Sequence, residues 1–256
     1  MSKVNKYNFM RWDNDGTPST SCEDAYLLPV MVNDTFSFYI NFDDPISDVT
    51  TNWELGLWIP DDAIVIRNIA TISEDDVDGT NHNLYSSFTV GVFPGPWFRL
   101  VIYDTADSDA IKYWSSPLRY KTSDFNTFVI KYRNNFSILN FEYENVLSYT
   151  NQFRITGRIA EQLATKNTTG YELSSGQYEI AKNIYRKTQE IQTYGFDQYA
   201  HEAFYAAIGS SDLYFDDVRH EATEDTYAQD PQGEATQWHG SVRMQIFDYT
   251  VVASNT

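Results

Sequence analysis

Short runs in which every second residue is apolar dominate this chain. Phe36, Phe38, Ile40 and Phe42 share one side of an extended segment, while Ser37, Tyr39 and Asn41 share the other. Such alternation predicts a strand with one face on a core. Asp43-Asp-Pro45 ends it, because proline has no N–H to give to a ladder. The pattern returns at Trp53, Leu55, Leu57 and Ile59 against Glu54, Gly56 and Trp58, with a turn at Pro60-Asp61-Asp62. Residues 64–72 predict another strand and residues 73–83 an acidic loop with Asp78-Gly79 at its tip. Phe88, Val90 and Val92 alternate before Phe93-Pro-Gly-Pro96 breaks the chain. Phe98, Leu100 and Ile102 face inward in the next strand, and a hairpin loop at 104–109 leads to a returning strand at 111–120. Turn signals about every ten residues between short strands describe a β-sandwich.

The polar Lys121-Thr-Ser-Asp124 is a natural boundary, and a second series follows it. Phe128, Ile130 and Tyr132 alternate with Val129, Lys131 and Arg133. Residues 136–143 carry Leu139, Phe141 and Tyr143 on one side. Phe153, Ile155, Gly157 and Ile159 oppose Arg154, Thr156 and Arg158. A polar loop at 164–170 and a hairpin-like 170–177 lead into a strand at 184–194. The period then changes. Ala200, Ala203, Phe204, Ala207 and Ile208 recur at helical spacing. Asp197 can cap this helix, since its carboxylate accepts a free first-turn N–H. Gly209 is expected to close it in a left-handed conformation. Leu213-Tyr-Phe215 returns to strand, residues 221–240 read as a long acidic loop, and Val242, Met244 and Ile246 mark a last strand. Residues 2–23 are polar and turn-rich, and are expected to form an arm or a loosely attached first strand. The expectation is an all-β chain of two β-sandwich-like domains, residues 1–122 and 123–256, the second carrying one short helix at 197–208.

Composition narrows the function. Aromatic residues make up 16% of the 256 positions, which suits half-buried pleated surfaces. The formal charge is −18, from 36 acidic and 18 basic residues. A phosphate backbone calls for a basic footprint, so specific nucleic-acid binding is not expected. An anionic membrane would repel the chain. A lone cysteine, Cys22, excludes an internal disulfide framework. Residues 1–10 are polar with two lysines, so no secretory leader is expected there. No run approaches a membrane span. The expectation is synthesis in a cytosol.

Candidate chemistry is thin. His82, His201, His220 and His239 form no metal spacing with one another or with Cys22. His201 reads as a surface or partly packed helix residue. No Gly-rich phosphate loop or Gly-x-Ser-x-Gly elbow is present. Asp13-Asn-Asp-Gly16 fails the calcium-loop spacing. The acids of residues 74–79 make a better oxygen cluster, for which a solvated loop is the simpler account. Nothing singles out a carboxylate pair for glycoside hydrolysis. Trp53, Trp58, Trp97 and Trp114 are candidates by type for a sugar platform, with Trp53 and Trp97 also readable as core or strand-end residues. No enzyme, cofactor or metal is expected.

A family resemblance goes further. Phe128-Val-Ile-Lys-Tyr-Arg-Asn134, Phe141-Glu-Tyr143, Phe153-Arg-Ile155, the stretch 171–194, Phe196-Asp-Gln-Tyr-Ala-His-Glu-Ala203 and Leu213-Tyr-Phe-Asp216 follow one another. Phe98-Arg-Leu-Val-Ile-Tyr-Asp104 and Trp114-Ser-Ser-Pro-Leu-Arg-Tyr120 precede them. Together, across residues 97 to 217, they resemble structural proteins of tailed phages that infect Bacteroidota, including the crAss-like group, and their prophage relatives. The likeness is one of order and texture and carries no active-site motif. It implies a non-enzymatic virion component of the neck, tail or baseplate, synthesised in the cytoplasm of a host bacterium. Such a component would pack against copies of itself in a ring and against other virion proteins. Exposed aromatic anchors are then expected at Tyr26, Trp58, Trp114, Tyr171 and Trp238. An acidic bore through which DNA slides without sticking is a corollary of the charge. The alternative is a carbohydrate-binding tail accessory that touches the host surface.

Overall fold

The computed structural model describes residues 9–13, 26–42, 53–59, 64–70, 72–76, 82–92, 95–106, 110–133, 150–222, 228–230, 238–246 and 251–253. The protein is all-β with one short helix, and its strands form two sheets, a half-barrel and a closed barrel. The half-barrel uses β1 (Trp12–Asp13), β2 (Leu28–Val30), β4 (Trp53–Ile59), β5 (Ile64–Ala70), β8 (Trp97–Asp104), β9 (Ala110–Ser115) and β10 (Leu118–Tyr120). Strand β8 is its spine, with β4 on one edge and β9 and β10 on the other. The parallel pairing of β2 with β10 brings an early segment alongside a later one.

The larger sheet holds β3 (Thr35–Phe42), β6 (Ser73–Asp76), β7 (His82–Thr89), β11 (Thr127–Arg133), β12 (Asn151–Ile159), β13 (Leu163–Glu172) and β14 (Tyr178–Phe196). It continues with β15 (Asp212–Phe215), β16 (Val218–Ala222), β17 (Ala228–Asp230), β18 (Trp238–Ile246) and β19 (Val251–Ala253). Six of these close a ring in the order β11, β12, β14, β18, β16, β15 and back to β11, every pairing antiparallel. Closure removes the open edges that a sandwich would have to protect. The inward positions are those the alternation predicts. Phe128, Ile130, Tyr132, Phe153 and Ile155 are at most 1% exposed, and Val242, Met244 and Ile246 lie behind them.

The seam of the ring is short. Strand β12 meets β14 only through Gly157↔Thr193, Arg158↔Gln192 and Ile159↔Ile191. Gly157 is required there. A Cβ would run into the Gln192 carbonyl oxygen and stand 2.6 Å from the Phe128 ring.

Helix α1 (Gln198–Ile208) follows β14 and packs on β14 and β11, burying Ala200, Ala203, Phe204, Ala207 and Ile208 as the spacing predicts. Asp197 caps it, accepting from the Ala200 N–H at 2.7 Å. The far end differs from expectation. Gly209 has φ −79°, a right-handed residue that continues the helical turn. The Ser210 N–H and hydroxyl satisfy the last carbonyls instead, at Ala207 and Ala206.

Several expected loops are strands. Residues 164–170 belong to β13, because a long hairpin partner supplies their hydrogen bonds. Thr165-Lys-Asn-Thr-Thr169 is an unbroken polar run, so no alternation marks them. Ser73–Asp76 pairs with β7, and Val218–Ala222 and Ala228–Asp230 interrupt the acidic stretch expected as one loop. The expected strand at 136–143 lies outside the described residues. The N-terminal segment also departs from a loose arm. Phe9, Met10 and Trp12 are at most 2% exposed, and Phe9 sits among Tyr132, Phe153, Phe196 and Phe204. The sheets do not divide at Lys121–Asp124, since β3 of the first half pairs with β12 of the second at Ser37↔Gln152. One hydrophobic cluster accordingly runs from Phe9 through Leu28, Leu57 and Phe98 to Phe215 and Met244.

Replacing Gly157 by alanine should therefore pry open the seam. We expect a loss of about 3 kcal/mol in urea unfolding, with amide exchange speeding first along 157–159 and 191–193.

Candidate functional site

The feature least explained by folding is a hairpin that leaves the barrel. Strands β13 and β14 pair from Leu163↔Thr188 to Glu172↔Tyr178 and turn at Leu173-Ser-Ser-Gly-Gln177. The turn is closed by Leu173 N–H to the Gln177 carbonyl, and Gly176 takes φ +79°, which favours glycine. At about 3.3 Å per residue, ten residues of strand extend about 30 Å. Strand β19 covers β14 at Asn183–Tyr185. Beyond that point, among the described residues, the arm is two strands wide. A two-stranded ribbon has no core of its own and is marginal in water.

Its surface is unusual for the chain. Among the described residues, Leu163, Tyr171, Leu173, Tyr178 and Tyr185 account for half of the exposed large hydrophobic side chains, with Tyr171 and Tyr178 at 54% and 57% exposure. Tyr171 opposes Glu179 and Tyr178 opposes Glu172, so the two tyrosines lie on opposite faces of the ribbon. The Lys166 ammonium stands 5.6 Å from the Tyr185 ring centre, across the ladder. Residues 163–187 carry Lys166, Lys182, Arg186 and Lys187 against Glu172 and Glu179, a charge of +2. The whole chain being −18, everything outside the arm is −20.

A second aromatic group lies on the half-barrel. Trp58 of β4 packs edge-on against Trp97 and Trp114, with ring centres 6.2 and 5.4 Å away. The Arg99 guanidinium carbon stands 5.7 Å from the Trp97 ring centre, and Arg99 Nη1 donates to the Ser115 carbonyl. Beneath, Val101 and Tyr103 are almost wholly buried, and the Tyr103 hydroxyl donates to Glu54. Steep interplanar angles of 68° and 79° turn ring faces onto neighbouring edges. Sugar platforms present a flat face to solvent, so this arrangement is one of packing.

The expected anchors therefore scatter. Tyr171 is exposed on the arm, as expected of an anchor. Trp58 is half-buried in the tryptophan group. Trp114 is 9% exposed because it covers Val101 on the adjacent strand. Trp238 pairs with Phe196 at the start of β18, and its side chain lies outside the described residues. Tyr26 is 6% exposed and differs most from expectation, because it is spent as an internal staple. Its N–H donates to Asp197 Oδ2 while Asp197 Oδ1 caps α1. The Thr156 N–H donates to the Tyr26 hydroxyl at 3.0 Å, and the Thr156 hydroxyl donates to the Tyr194 carbonyl. The Tyr26 O–H is thereby directed at Thr156 Oγ1. Burial pushes this phenol far above its usual range, so it stays a neutral donor. Tyr178 and Tyr185 were missed by sequence reasoning, since only pairing with β13 shows that their strand leaves the body.

The other candidates resolve simply. Glu74, Asp75 and Asp76 lie on β6, and residues 77–81 are outside the described set. Among the described residues no group of three or more His, Cys, Asp or Glu is placed to hold a metal ion, and no helix is long and apolar enough to cross a membrane. His201 is fully buried against Phe196 on the inner face of α1, contrary to the surface expectation. His220 is buried beside Phe215, with Val218 O and Gln189 Oε1 at its two ring nitrogens. No protein-family model matches the chain, and no curated protein matches it.

Two outcomes follow. Tyr26→Phe leaves the Thr156 N–H without its acceptor and should cost about 1–3 kcal/mol in thermal or chemical unfolding. Burial lowers the His220 pKa below 6.5, so the unfolded chain binds its proton first as pH falls. Stability should decline below pH 6.5, by at most about 1.4 kcal/mol per pH unit from this group. In His220→Gln that part of the slope should vanish from unfolding curves measured across pH.

Proposed function

We propose that this chain is a non-enzymatic structural protein of a tailed-phage virion. It assembles as a ring or layer in the neck, tail or baseplate through repeated protein–protein interfaces. The observation that carries this reading is the 163–187 arm, a basic, tyrosine-bearing hairpin projecting from an acidic body. Folding of the barrel gains little from exposing Tyr171 and Tyr178, whereas aromatic anchors on a projecting element suit a partner surface. A ring contact of about 800 Å² per partner is within the scope of such an arm plus its base. The resemblance supports the same reading, since residues 97–217 take in the spine of the half-barrel, four of the six ring strands, the arm and α1. The chain's partners are then its own copies and neighbouring virion proteins, and the excess of acid leaves room for DNA to pass a ring without adhering.

The alternative, a carbohydrate-binding tail accessory, draws on the Trp58, Trp97 and Trp114 group. The edge-on rings disfavour it.

Gold labelling of intact particles with an antibody to this chain tests the role. A discrete band at the neck, tail or baseplate is expected. Particles that are accessible yet unlabelled would remove the virion role, and label restricted to distal fibres would favour the accessory. Trp58→Ala separates the readings in solution: we expect a stability loss of about 2 kcal/mol, with no host-polysaccharide binding by either wild type or variant in fluorescence titration.

A further inference from the structure

The remaining large exposed hydrophobic side chains among the described residues are not scattered. Besides Tyr205 on α1, they are Val32, Val92, Phe125 and Val218. Each of these four lies within two residues of Asn33, Val90, Asp124 or Asp216, which belong to one hydrogen-bonded network. Asn33 donates its N–H to the Val90 carbonyl, and Asp34 holds Arg154 through both carboxylate oxygens at 2.7 and 2.8 Å. Arg154 Nη1 donates to the Thr127 hydroxyl, which donates to the Asp124 carbonyl. On the next strand over, the Val129 N–H donates to Asp216 Oδ1. Turns from β2–β3, β10–β11 and β15–β16 thus converge on the flank of β12. Arg154 is the cation at the centre, and its guanidinium is held even more firmly protonated than usual by the Asp34 hydrogen bonds, burial opposing. Around it, Asp124 and Asp216 lie exposed, and Asp217 holds the Lys131 ammonium of β11. Phe125 is 79% and Val92 84% exposed.

We propose that this acidic, apolar-edged patch receives the 163–187 arm of a second copy of the chain. The proposal deepens the assembly reading by naming the two surfaces that meet. Its argument is complementarity in both charge and polarity. The arm is +2 where the rest is −20, and its exposed tyrosines and leucines match the exposed valines and phenylalanine of the patch. A lysine-bearing, aromatic ribbon from a like-charged neighbour is drawn to a body surface where carboxylates lie beside exposed apolar side chains. The two surfaces are different patches of the same chain, so the contact is heterologous. Repetition closes a ring if the rotation permits. Docking also adds packing to a ribbon that, among the described residues, is two strands wide.

Complementation between variants tests this on the full chain. Tyr171→Ser with Tyr178→Ser removes the arm's anchors, and Val92→Ser with Phe125→Ser removes the patch's. All four side chains are exposed, so far-UV circular dichroism and unfolding should match wild type. Sedimentation velocity should show wild type self-associating and each double variant at least tenfold weaker. An equimolar mixture should pair one to one, because each variant keeps the half that the other lost. If the arm variant associates as tightly as wild type, the arm is not the docking element, although the assembly role would stand. A wild-type chain that stays monomeric up to about 1 mM also overturns the proposal, as does a mixture that fails to pair. Failure of gold labelling, in contrast, would remove the virion role without touching this contact.

Discussion

Closure of the six-stranded ring at Gly157 is the constraint on which the rest depends. Strand β14 comes so close to β12 there that no side chain fits between Gly157, the Gln192 carbonyl and Phe128. Once those three rungs form, β14 is committed at its C-terminal half to the barrel. Its N-terminal half then has nowhere to go but outward, paired with β13. The arm is thus a consequence of a strand longer than the barrel is tall. The helix follows for the same reason. Strand β14 ends at the rim with Phe196 in the core, and Asp197 can start α1 across the opening.

Three ties then fix the early chain to this ring. Phe9 fills the space among four barrel and helix rings. A buried side chain of this size contributes about 2 kcal/mol. Tyr26 links the first segment to the helix cap and to Thr156, beside the seam. Asp34 and Arg154, each only 12% exposed, join β3 to β12. Breaking a well-buried pair on one side costs about 3 kcal/mol, since the remaining charge loses its partner. These ties explain why a chain with a visible polar break at Lys121–Asp124 shares one core across that break.

Much of this was legible in the sequence. The inward faces of β4, β11, β12 and β18, and of β3 at Phe36 and Phe38, alternate as written, because each has one side in the core. The helix and its Asp197 cap were equally plain. What escaped did so for physical reasons. The middle of β13, Thr165-Lys-Asn-Thr-Thr169, is an unbroken polar run, so its partner and not its composition makes it a strand. Phe9, Met10 and Trp12 sit in a turn-rich stretch whose pairing with β9 is far away in sequence. Gly209 marks the helix end, but Ser210 does the capping. Barrel closure rests on a contact between 157–159 and 191–193 that no local pattern announces. For the candidate site, Tyr171 was chosen by type and lies on the exposed arm. Tyr26 and Trp114 were chosen on the same basis and are buried, since residue type does not tell on which side of a sheet a ring falls.

The central claim is that the arm of one copy meets the acidic patch of another. A mixture of chains with light and heavy nitrogen, treated with a zero-length carbodiimide, tests it directly. That reagent joins an amine to a carboxylate only where they touch. The account predicts mixed-isotope peptides linking Lys166 or Lys187 to Asp124, Asp216 or Asp217. Arm lysines linked only within chains of one isotope, or to carboxylates away from Arg154, would contradict it.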